Sequence, residues 1–183
     1  MRRGAPLLDT RSERSRAAIL GAFITLIFRD GFERLSVGAI VAEAGVARST
    51  FYEHFSGKED VLQASMSHFF NVMAGCVASD QQPPELIRVI EHFWGNRRMA
   101  DAVFTGHPRL ILVRSLSELI ERRLRAAGEG GKPLVPYELS SIQIAEAQIA
   151  LVENWLRGRA YCQAEDMAAA LHRSSRAFAI SVR

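Results

Sequence analysis

The chain has 183 residues, of which 48% are hydrophobic, 23% charged and 8% aromatic. This length suits one domain, or a small domain joined to a larger one, and the composition excludes a wholly disordered or collagen-like chain. The net charge of +3 is too small to indicate a nucleic-acid partner by itself.

The excess positive charge is confined to the N-terminus. Residues 1–16 contain five arginines against two carboxylates, whereas the remaining residues carry equal numbers of positive and negative charges. We predict a mobile basic arm over residues 1–10, in which Arg2 and Arg3 are solvated, because short terminal segments are seldom ordered without a partner. Contact of these two arginines with a DNA minor groove is the alternative. Three further arginines are expected on the first helix, facing phosphate: Arg11, Arg14 and Arg16.

Cysteine content and hydropathy indicate a cytoplasmic protein that does not enter a membrane. Cys76 and Cys162 are too few and too far apart for a disulfide framework. The longest nearly apolar run, residues 17–28, is shorter than the ~20 residues that cross a bilayer. A signal sequence is the alternative, but acidic residues interrupt the basic region before this run, and Arg29-Asp30 follows it in place of small residues.

The first predicted helix begins with a capping box, Thr10-x-x-Glu13, and continues as an apolar stripe. The residues of this stripe recur every three or four positions: Ile19, Ala22, Phe23, Leu26 and Ile27. A second stripe of Leu20, Ile24 and Phe28 predicts that other parts of the protein cover the helix on most sides. Gly31 is expected to end it, because the left-handed residue at a helix C-terminus is usually glycine.

Three more helices are predicted before residue 80. Ser36 caps a short helix that ends at Gly45, and a second short helix covers about residues 47–55. A second capping box, Ser56-Gly-Lys-Glu59, opens a long helix that runs to residue 76 or 77.

The C-terminal half is also predicted to be helical. Residues 80–84, Asp-Gln-Gln-Pro-Pro, form the connector to it, and residues 93–107 are difficult to assign. Helices are predicted over about residues 110–127, 136–157 and 164–180, with a flexible break over 128–133. No segment alternates apolar and polar residues for long enough to predict a strand. The fold class is therefore all-α, with about nine helices.

Residues 36–55 contain two short helices joined by a tight glycine turn, which is the arrangement that a helix-turn-helix requires. The residues predicted to dock the two helices are Ile40, Ala44, Val46, Phe51 and Phe55. The second helix presents side chains that can hydrogen-bond to phosphate or base edges: Arg48, Ser49, Thr50, Tyr52 and His54. Lys58 adds a cation at the start of the next helix. A surface helix hairpin without a ligand fits the same periodicity.

Arg11 to Leu62 resembles the N-terminal domain of the TetR family of bacterial transcriptional regulators. The matching segments agree in order and spacing without a gap: Arg16-Ala-Ala-Ile-Leu, Phe28-Arg-Asp-Gly-Phe, Leu35-Ser-Val, Ile40-Val-Ala-Glu-Ala-Gly-Val, Ser49-Thr-Phe-Tyr-Glu-His-Phe and Lys58-Glu-Asp-Val-Leu. The resemblance implies a three-helix DNA-binding domain over residues 1–57. It also implies a larger helical domain for ligand binding and dimerisation over residues 58–183.

The resemblance also implies roles for individual residues. Base contacts are implied for Arg48 and Ser49, and contacts to the DNA backbone for four further side chains: Thr50, Tyr52, His54 and Lys58. Ser36 and Val37, at the start of the first short helix, complete the candidate DNA-binding set. The chain departs from the family at Ala47, where Ser or Thr is frequent. Loss of such a helix cap costs about 1 kcal/mol unless another group replaces it.

The C-terminal part contains large, adaptable side chains that are candidates for lining the effector pocket that the resemblance implies. These residues are Met66, Phe69, Phe70, Met73, Phe93, Trp94, Phe104 and His107. The alternative is that these residues simply fill the core, as Met and aromatic residues at helical spacing commonly do.

The helix over residues 136–157 carries two apolar stripes, so one can face its own core and the other a second copy of the chain. The resemblance implies a four-helix dimer interface built from this helix and the last one. The candidate interface residues are Ile144, Ala147, Leu151, Trp155, Leu171 and Phe178. The sequence leaves open which stripe faces outward.

Catalytic and metal-binding motifs are absent, including G-x-S-x-G, H-E-x-x-H and C-x-x-C. We therefore expect no enzymatic activity, no cofactor and no metal. We predict a cytoplasmic, homodimeric repressor that binds a palindromic operator in double-stranded DNA and is released by an unknown small-molecule effector. The alternatives are an activator, a regulator controlled by a protein partner, and a helical small-molecule-binding protein with weak DNA binding.

Overall fold

The computed structural model describes residues 7–128 and 133–181. Within these ranges the chain forms nine α-helices, one 3-10 turn (Arg97–Met99) and no strand. The helices are α1 (Leu7–Asp30), α2 (Val37–Ala44), α3 (Arg48–His54), α4 (Lys58–Gly75), α5 (Leu86–Gly95), α6 (Ala100–Val103), α7 (Gly106–Ala127), α8 (Tyr137–Leu156) and α9 (Ala164–Ser181). The predicted all-α fold class is confirmed.

Two helix starts differ from the sequence prediction. Helix α1 already begins at Leu7, so Thr10 lies inside the helix instead of capping it, and residues 7–10 belong to α1 and not to a mobile arm. Arg2 and Arg3 lie outside the described residues. Helix α7 begins at Gly106, whereas the sequence predicts its start at about residue 110. Gly106 has a φ of +60°, in the left-handed region, and the apolar periodicity gives no sign of this.

The chain divides into two compact units, residues 1–65 and 66–183. The boundary lies inside α4, whereas the sequence analysis placed it at residue 57, just before this helix. Val61 and Leu62, in the first turns of α4, are fully buried and belong to the first unit.

In the first unit, α2 and α3 pack against α1. The predicted stripe of α1 from Ile19 to Ile27 is buried, and Phe23 meets Phe32 edge to face at 6.5 Å between ring centroids. The prediction that α1 is covered on most sides is wrong, because Ile24 is 39% and Phe28 45% exposed. The reason is that the stripe from Ile19 to Ile27 alone supplies the buried face of the helix.

In the second unit, α7 and α8 form the most extensive helix pair. A cluster of ion pairs joins the two helices. The Arg109 guanidinium donates to Glu146 at 2.5 Å and to Glu153 at 3.3 Å. These hydrogen bonds, the one to Glu146 above all, raise the pKa of Arg109, so the cation persists at any physiological pH. Arg157 also donates to Glu153, at 2.8 Å, and this joins the end of α8 to the same cluster.

Side chains from three helices of the second unit hold the C-terminal end of α4 and the turn that follows it. These side chains donate to backbone carbonyl groups, in addition to backbone hydrogen bonds such as that from the Cys76 amide to Met73 O at 3.0 Å. The pairs are Arg123 Nη2 with Asn71 O (3.2 Å), Gln148 Nε2 with Met73 O (3.2 Å), Arg176 Nη1 with Val77 O (3.2 Å) and His172 Nε2 with Ser79 O (3.1 Å). The end of α4 is thus tied to α7, α8 and α9 together.

Gly45 should tolerate a side chain poorly. Its φ of +64° and ψ of +31° lie in the left-handed region, although a Cβ atom would meet nothing within 4 Å. We therefore predict that Gly45→Ala lowers the free energy of unfolding by about 1 kcal/mol through backbone strain alone. Gly57→Ala is the matched control, since that position also has open space but no positive φ.

Urea unfolding followed by circular dichroism measures both variants. The transition midpoint should fall for Gly45→Ala at an unchanged m-value. Equal midpoints for the two variants would contradict the proposed strain.

Candidate DNA-binding surface

Helix α2 has a well-defined start and end. Ser36 adopts an extended conformation, and its hydroxyl accepts a hydrogen bond from the Ala39 amide at 3.2 Å, which is the geometry of an N-cap. At the other end Gly45 turns the chain, and the Gly45 and Val46 amides donate to Ala42 and Val41 carbonyls. The predicted cap and the predicted glycine turn are both present, so the entry into α3 is rigidly defined.

Helix α3 has only seven residues, too few for a stable isolated helix. Phe51 is fully buried and Phe55 is 3% exposed, and their rings lie 6.0 Å apart. Burial of these two rings therefore holds α3 in place. It also decides which side faces outward: Arg48, Ser49 and Tyr52 are exposed, while Thr50 and His54 are half-buried.

Arg48 and Tyr52 interact on the outward face of α3. The Arg48 Nη2 donates to the Tyr52 hydroxyl at 3.3 Å, and its guanidinium carbon lies 5.6 Å from the centre of the Tyr52 ring. Residues four apart on a helix are neighbours, so this pair forms without distortion. The contact restricts the rotamers of Arg48 and leaves the rest of its planar donor group directed outward.

A polar cleft of about 540 Å³ lies between the N-terminal half of α1 and the α2–α3 turn. Residues 45–47 form part of its lining, and the side chains come from two helices: Arg11, Ser12 and Ser15 from α1, and Thr50, Glu53 and His54 from α3. The hydroxyl, guanidinium and imidazole groups of this set can all donate to a phosphate oxygen. Glu53 is the one carboxylate in the lining, and it disfavours an anion on its side of the cleft.

Thr50 and His54 belong to the DNA-binding set that the sequence predicts. Ser12, Ser15 and Glu53 do not belong to that set. Ser12 and Ser15 are three residues apart and so share one face of α1, which is a signal visible in the sequence. The packing that brings this face to α3 is tertiary and has no such signal. Of the three arginines predicted to face phosphate, Arg11 lines the cleft and Arg16 stacks on Phe55 at 5.4 Å.

Lys58 and Ser36 complete the set of predicted DNA-binding residues within the first unit. Lys58 is half-buried, and its ammonium group lies 2.9 Å from the carbonyl oxygen of Phe32 in the α1–α2 loop. Val37 is also half-buried, in the first turn of α2. Seven of the eight predicted residues therefore lie on α2, on α3 or at the start of α4, and Ser36 caps α2.

The residues predicted to line a pocket lie mainly in the core of the second unit. Five of them are at most 4% exposed: Met66, Phe69, Phe70, Met73 and Phe104. Phe93 stacks on Phe69 with 4.0 Å between ring centroids, and Trp94 lies 4.5 Å from Trp155. His107 is exposed, in the first turn of α7. Ring contacts thus bring Phe69, Phe70 and Phe93 together, whereas His107 lies at the surface.

The residues predicted for a dimer interface divide into two groups. Ile144, Trp155 and Leu171 are buried within the protomer, at most 4% exposed, and they have almost no surface left for a partner. Ala147 is exposed, and Leu151 and Phe178 are half-buried. Leu139 and Ile142, on α8, are 59% and 47% exposed although the sequence analysis did not select them.

None of the described helices combines the length and apolar character needed to span a bilayer. Residues 7–128 and 133–181 contain no group of three His, Cys, Asp or Glu side chains placed to hold a metal ion.

Comparison with known proteins places the similarity in the N-terminal part. Residues 19–65 match the family model of the bacterial regulatory proteins of the tetR family. A DNA-binding transcriptional repressor TetR from Mycobacteroides abscessus is 30% identical over 56 residues, which are 31% of this chain and 30% of that protein. The match therefore spans less than a third of that relative's length.

Solved structures extend the similarity to the fold of most of the chain. A TetR transcriptional regulator from Streptococcus agalactiae 2603V has 22% identity and a TM-score of 0.57, covering 92% of this chain and 97% of that one. The dihydroxyacetone kinase operon activator DhaS has 17% identity and a TM-score of 0.52, covering 89% and 94%. At such identities the likeness concerns the fold.

Helix α3 should become more stable if its missing cap is supplied. Ala47 has the extended conformation of an N-cap residue, with φ −70° and ψ 151°, but its side chain makes no capping hydrogen bond. We predict that Ala47→Ser raises the free energy of unfolding by about 0.5–1 kcal/mol, because the hydroxyl can accept from a free amide of the first turn. Thermal unfolding measures this as a higher Tm.

Ala42→Ser is the matched control, because Ala42 is exposed inside α2, where serine is a poorer helix former than alanine. That variant should be slightly less stable than the original protein. A Tm for Ala47→Ser at or below that of Ala42→Ser would contradict the capping argument.

Proposed function

Because this chain belongs to the TetR family of bacterial regulatory proteins, we propose that it binds operator DNA through the outward face of α3. The observation that carries this proposal is the anchoring of α3 by buried Phe51, which leaves Arg48 and Tyr52 exposed side by side. A short helix that is rigidly held and exposes hydrogen-bonding side chains is suited to the major groove, about 12 Å wide.

Arg48 is the proposed base-reading residue. A guanidinium donates two parallel hydrogen bonds to O6 and N7 of guanine, which is the most frequent specific contact in the major groove. Its contact with Tyr52 reduces the rotamer freedom that binding would otherwise remove. Ser49, also exposed, is the second candidate for base contact.

The polar cleft is the proposed binding site for a phosphate group of the DNA backbone. Arg11, Ser12 and Ser15 approach it from α1, while Thr50 and His54 approach it from α3. Contacts from two helices to one phosphate would fix the register of α3 in the groove without reading sequence. Glu53 would hold the phosphate on the α1 side of the cleft by repulsion.

We propose that two copies of the chain associate through the outward faces of α8 and α9. Ala147 and Leu151 on α8 supply exposed or half-buried apolar surface, and so does Phe178 on α9. Ala170 and Ala177, also exposed on α9, would let a partner helix approach closely. A symmetric dimer would place its two recognition helices about 34–36 Å apart, one turn of DNA, and would therefore prefer a palindromic operator.

A small-molecule effector is proposed to bind within the second unit, among the aromatic and methionine side chains around Phe69 and Phe93. Methionine and stacked aromatic rings can rearrange to admit an apolar molecule. Such rearrangement would reach the end of α4 through Gln148, which donates to Met73 O and is held in turn by Ser175 Oγ at 2.8 Å. To release the protein from DNA, the effector must bind the conformation that does not bind DNA more tightly than the conformation that does.

Repression is the proposed outcome of operator binding, in the bacterial cytoplasm. The relative from Mycobacteroides abscessus is named a repressor. Activation is the second candidate, because DhaS, which shares the fold, is named an activator.

Selection from a library of random DNA duplexes tests the proposed function most simply. Repeated capture on the protein at physiological salt should enrich one palindromic sequence, and footprinting should then protect two half-sites about one helical turn apart. Failure to enrich any sequence would contradict the proposed function.

Arg48→Ala should weaken binding to the selected operator more than binding to random DNA. Loss of one bidentate base contact costs about 1–3 kcal/mol of discrimination, or roughly fivefold to 150-fold in the affinity ratio. The matched control is Arg114→Ala, which removes the same charge from an exposed position on α7 in the second unit. Fluorescence anisotropy with the operator duplex and with a random duplex gives the ratio of the two affinities for each variant.

An unchanged ratio of operator to random-DNA affinity in Arg48→Ala would remove this residue from the base-reading role. The Arg114→Ala control should leave that ratio unchanged.

Ala147→Glu should shift the protein from dimer to monomer. A carboxylate on the proposed interface would be buried against the partner without a counter-charge, which is strongly unfavourable. Ala126→Glu introduces the same charge at an exposed position of α7 and should leave the dimer intact. Sedimentation equilibrium measures both, and a dimer of unchanged affinity in Ala147→Glu would contradict the proposed interface.

A further inference from the structure

Lys58 is directed at the loop between α1 and α2. Its Nζ lies 2.9 Å from the carbonyl oxygen of Phe32 and 3.4 Å from that of Glu33. It also lies 4.5 Å from the centre of the Phe32 ring, within the range of a cation–π interaction. Three contacts therefore bind one ammonium group to two consecutive residues that are 25 and 26 positions earlier in the chain.

The loop that receives Lys58 leads directly into α2. It begins at Gly31, whose amide donates to Ile27 O, and continues through a turn in which the Leu35 amide donates to Phe32 O at 3.2 Å. Phe32 O thus accepts from Leu35 and from Lys58 together. The next residue after Leu35 is Ser36, the N-cap of α2, so the loop determines where α2 begins.

We propose that Lys58 contributes to DNA binding as a positioning residue, by holding the 31–36 loop and through it the N-terminus of α2. This inference rests on the proposed function. It differs from the role that the family resemblance implies, in which the cation itself contacts the DNA backbone. In the present role, Ser36 and Val37 are the groups brought to the backbone, and Lys58 keeps them in register.

The geometry favours positioning over direct phosphate contact. An ammonium group has three N–H donors, and two of those of Lys58 have carbonyl partners within the first unit. If the side chain swung towards a phosphate, it would release both hydrogen bonds and its contact with the Phe32 ring. Phe32 itself is 2% exposed and packed against Phe23, so the loop cannot follow the lysine outward without opening the core.

Two readouts on the full-length protein distinguish the roles. Lys58→Met keeps the apolar stem but removes the donors and the charge, whereas Lys58→Arg keeps both. Amide hydrogen exchange in the absence of DNA should be at least about tenfold faster at Leu35 and Ala39 in Lys58→Met, because local opening becomes easier. Exchange in α9 should not change, and Lys58→Arg should restore slow exchange.

The salt dependence of DNA binding is the second readout. A lysine that neutralises a phosphate contributes about 0.9 to the slope of log affinity against log salt concentration. In the positioning role, Lys58→Met lowers operator affinity several-fold but leaves this slope as in the unmodified protein. Arg114→Met, an exposed charge on α7, controls for the general loss of a cation.

Unchanged exchange at Leu35 and Ala39 in Lys58→Met would overturn the inference. So would a salt-dependence slope reduced by about 0.9 for each lysine removed. Faster exchange in α9 as well would also overturn it, because the effect would then be global destabilisation. Absence of DNA binding by the unmodified protein would instead overturn the proposed function, and the exchange data would still show whether Lys58 holds the loop.

Discussion

The burial of Phe51 is the constraint on which the DNA-binding unit depends. A seven-residue helix without a side-chain cap gains little stability from its own hydrogen bonds, so α3 exists because its inner face is packed against the rest of the unit. Once Phe51 is buried, helical geometry places Ser49 on the opposite face. Arg48 and Tyr52 are exposed at the side of the helix. The exposed face of α3, which we propose binds DNA, is therefore a consequence of core packing.

Both ends of α4 are held by the same kind of contact, a polar side chain on a backbone carbonyl. At its start Lys58 reaches back to Phe32, and at its end Gln148 and Arg176 donate to Met73 and Val77. Such contacts satisfy carbonyl groups of the loop and of the helix end, and they have little tolerance for displacement.

The ends of α2 and the buried stripe of α1 were predicted correctly, whereas the cap at Thr10 and the contacts between distant residues were not. The N-cap at Ser36 and the turn at Gly45 follow from the chemistry of single residues, and α8 and α9 follow from periodicity. The exposure of Phe28 was mispredicted, because periodicity shows that a stripe is apolar but not that a neighbour covers it. The cleft between α1 and α3 and the partners of Lys58 join residues far apart in sequence, and no spacing rule connects these.

Hydrogen–deuterium exchange of the full-length protein, with and without a duplex carrying the selected operator, tests the central claim most directly. If α3 and the cleft form the DNA-binding surface, the duplex should slow exchange over residues 11–15, the α2 N-terminus and residues 45–55. Exchange in the core of α8 should stay the same. A bound duplex that slows exchange elsewhere but leaves residues 45–55 unaffected would contradict the account.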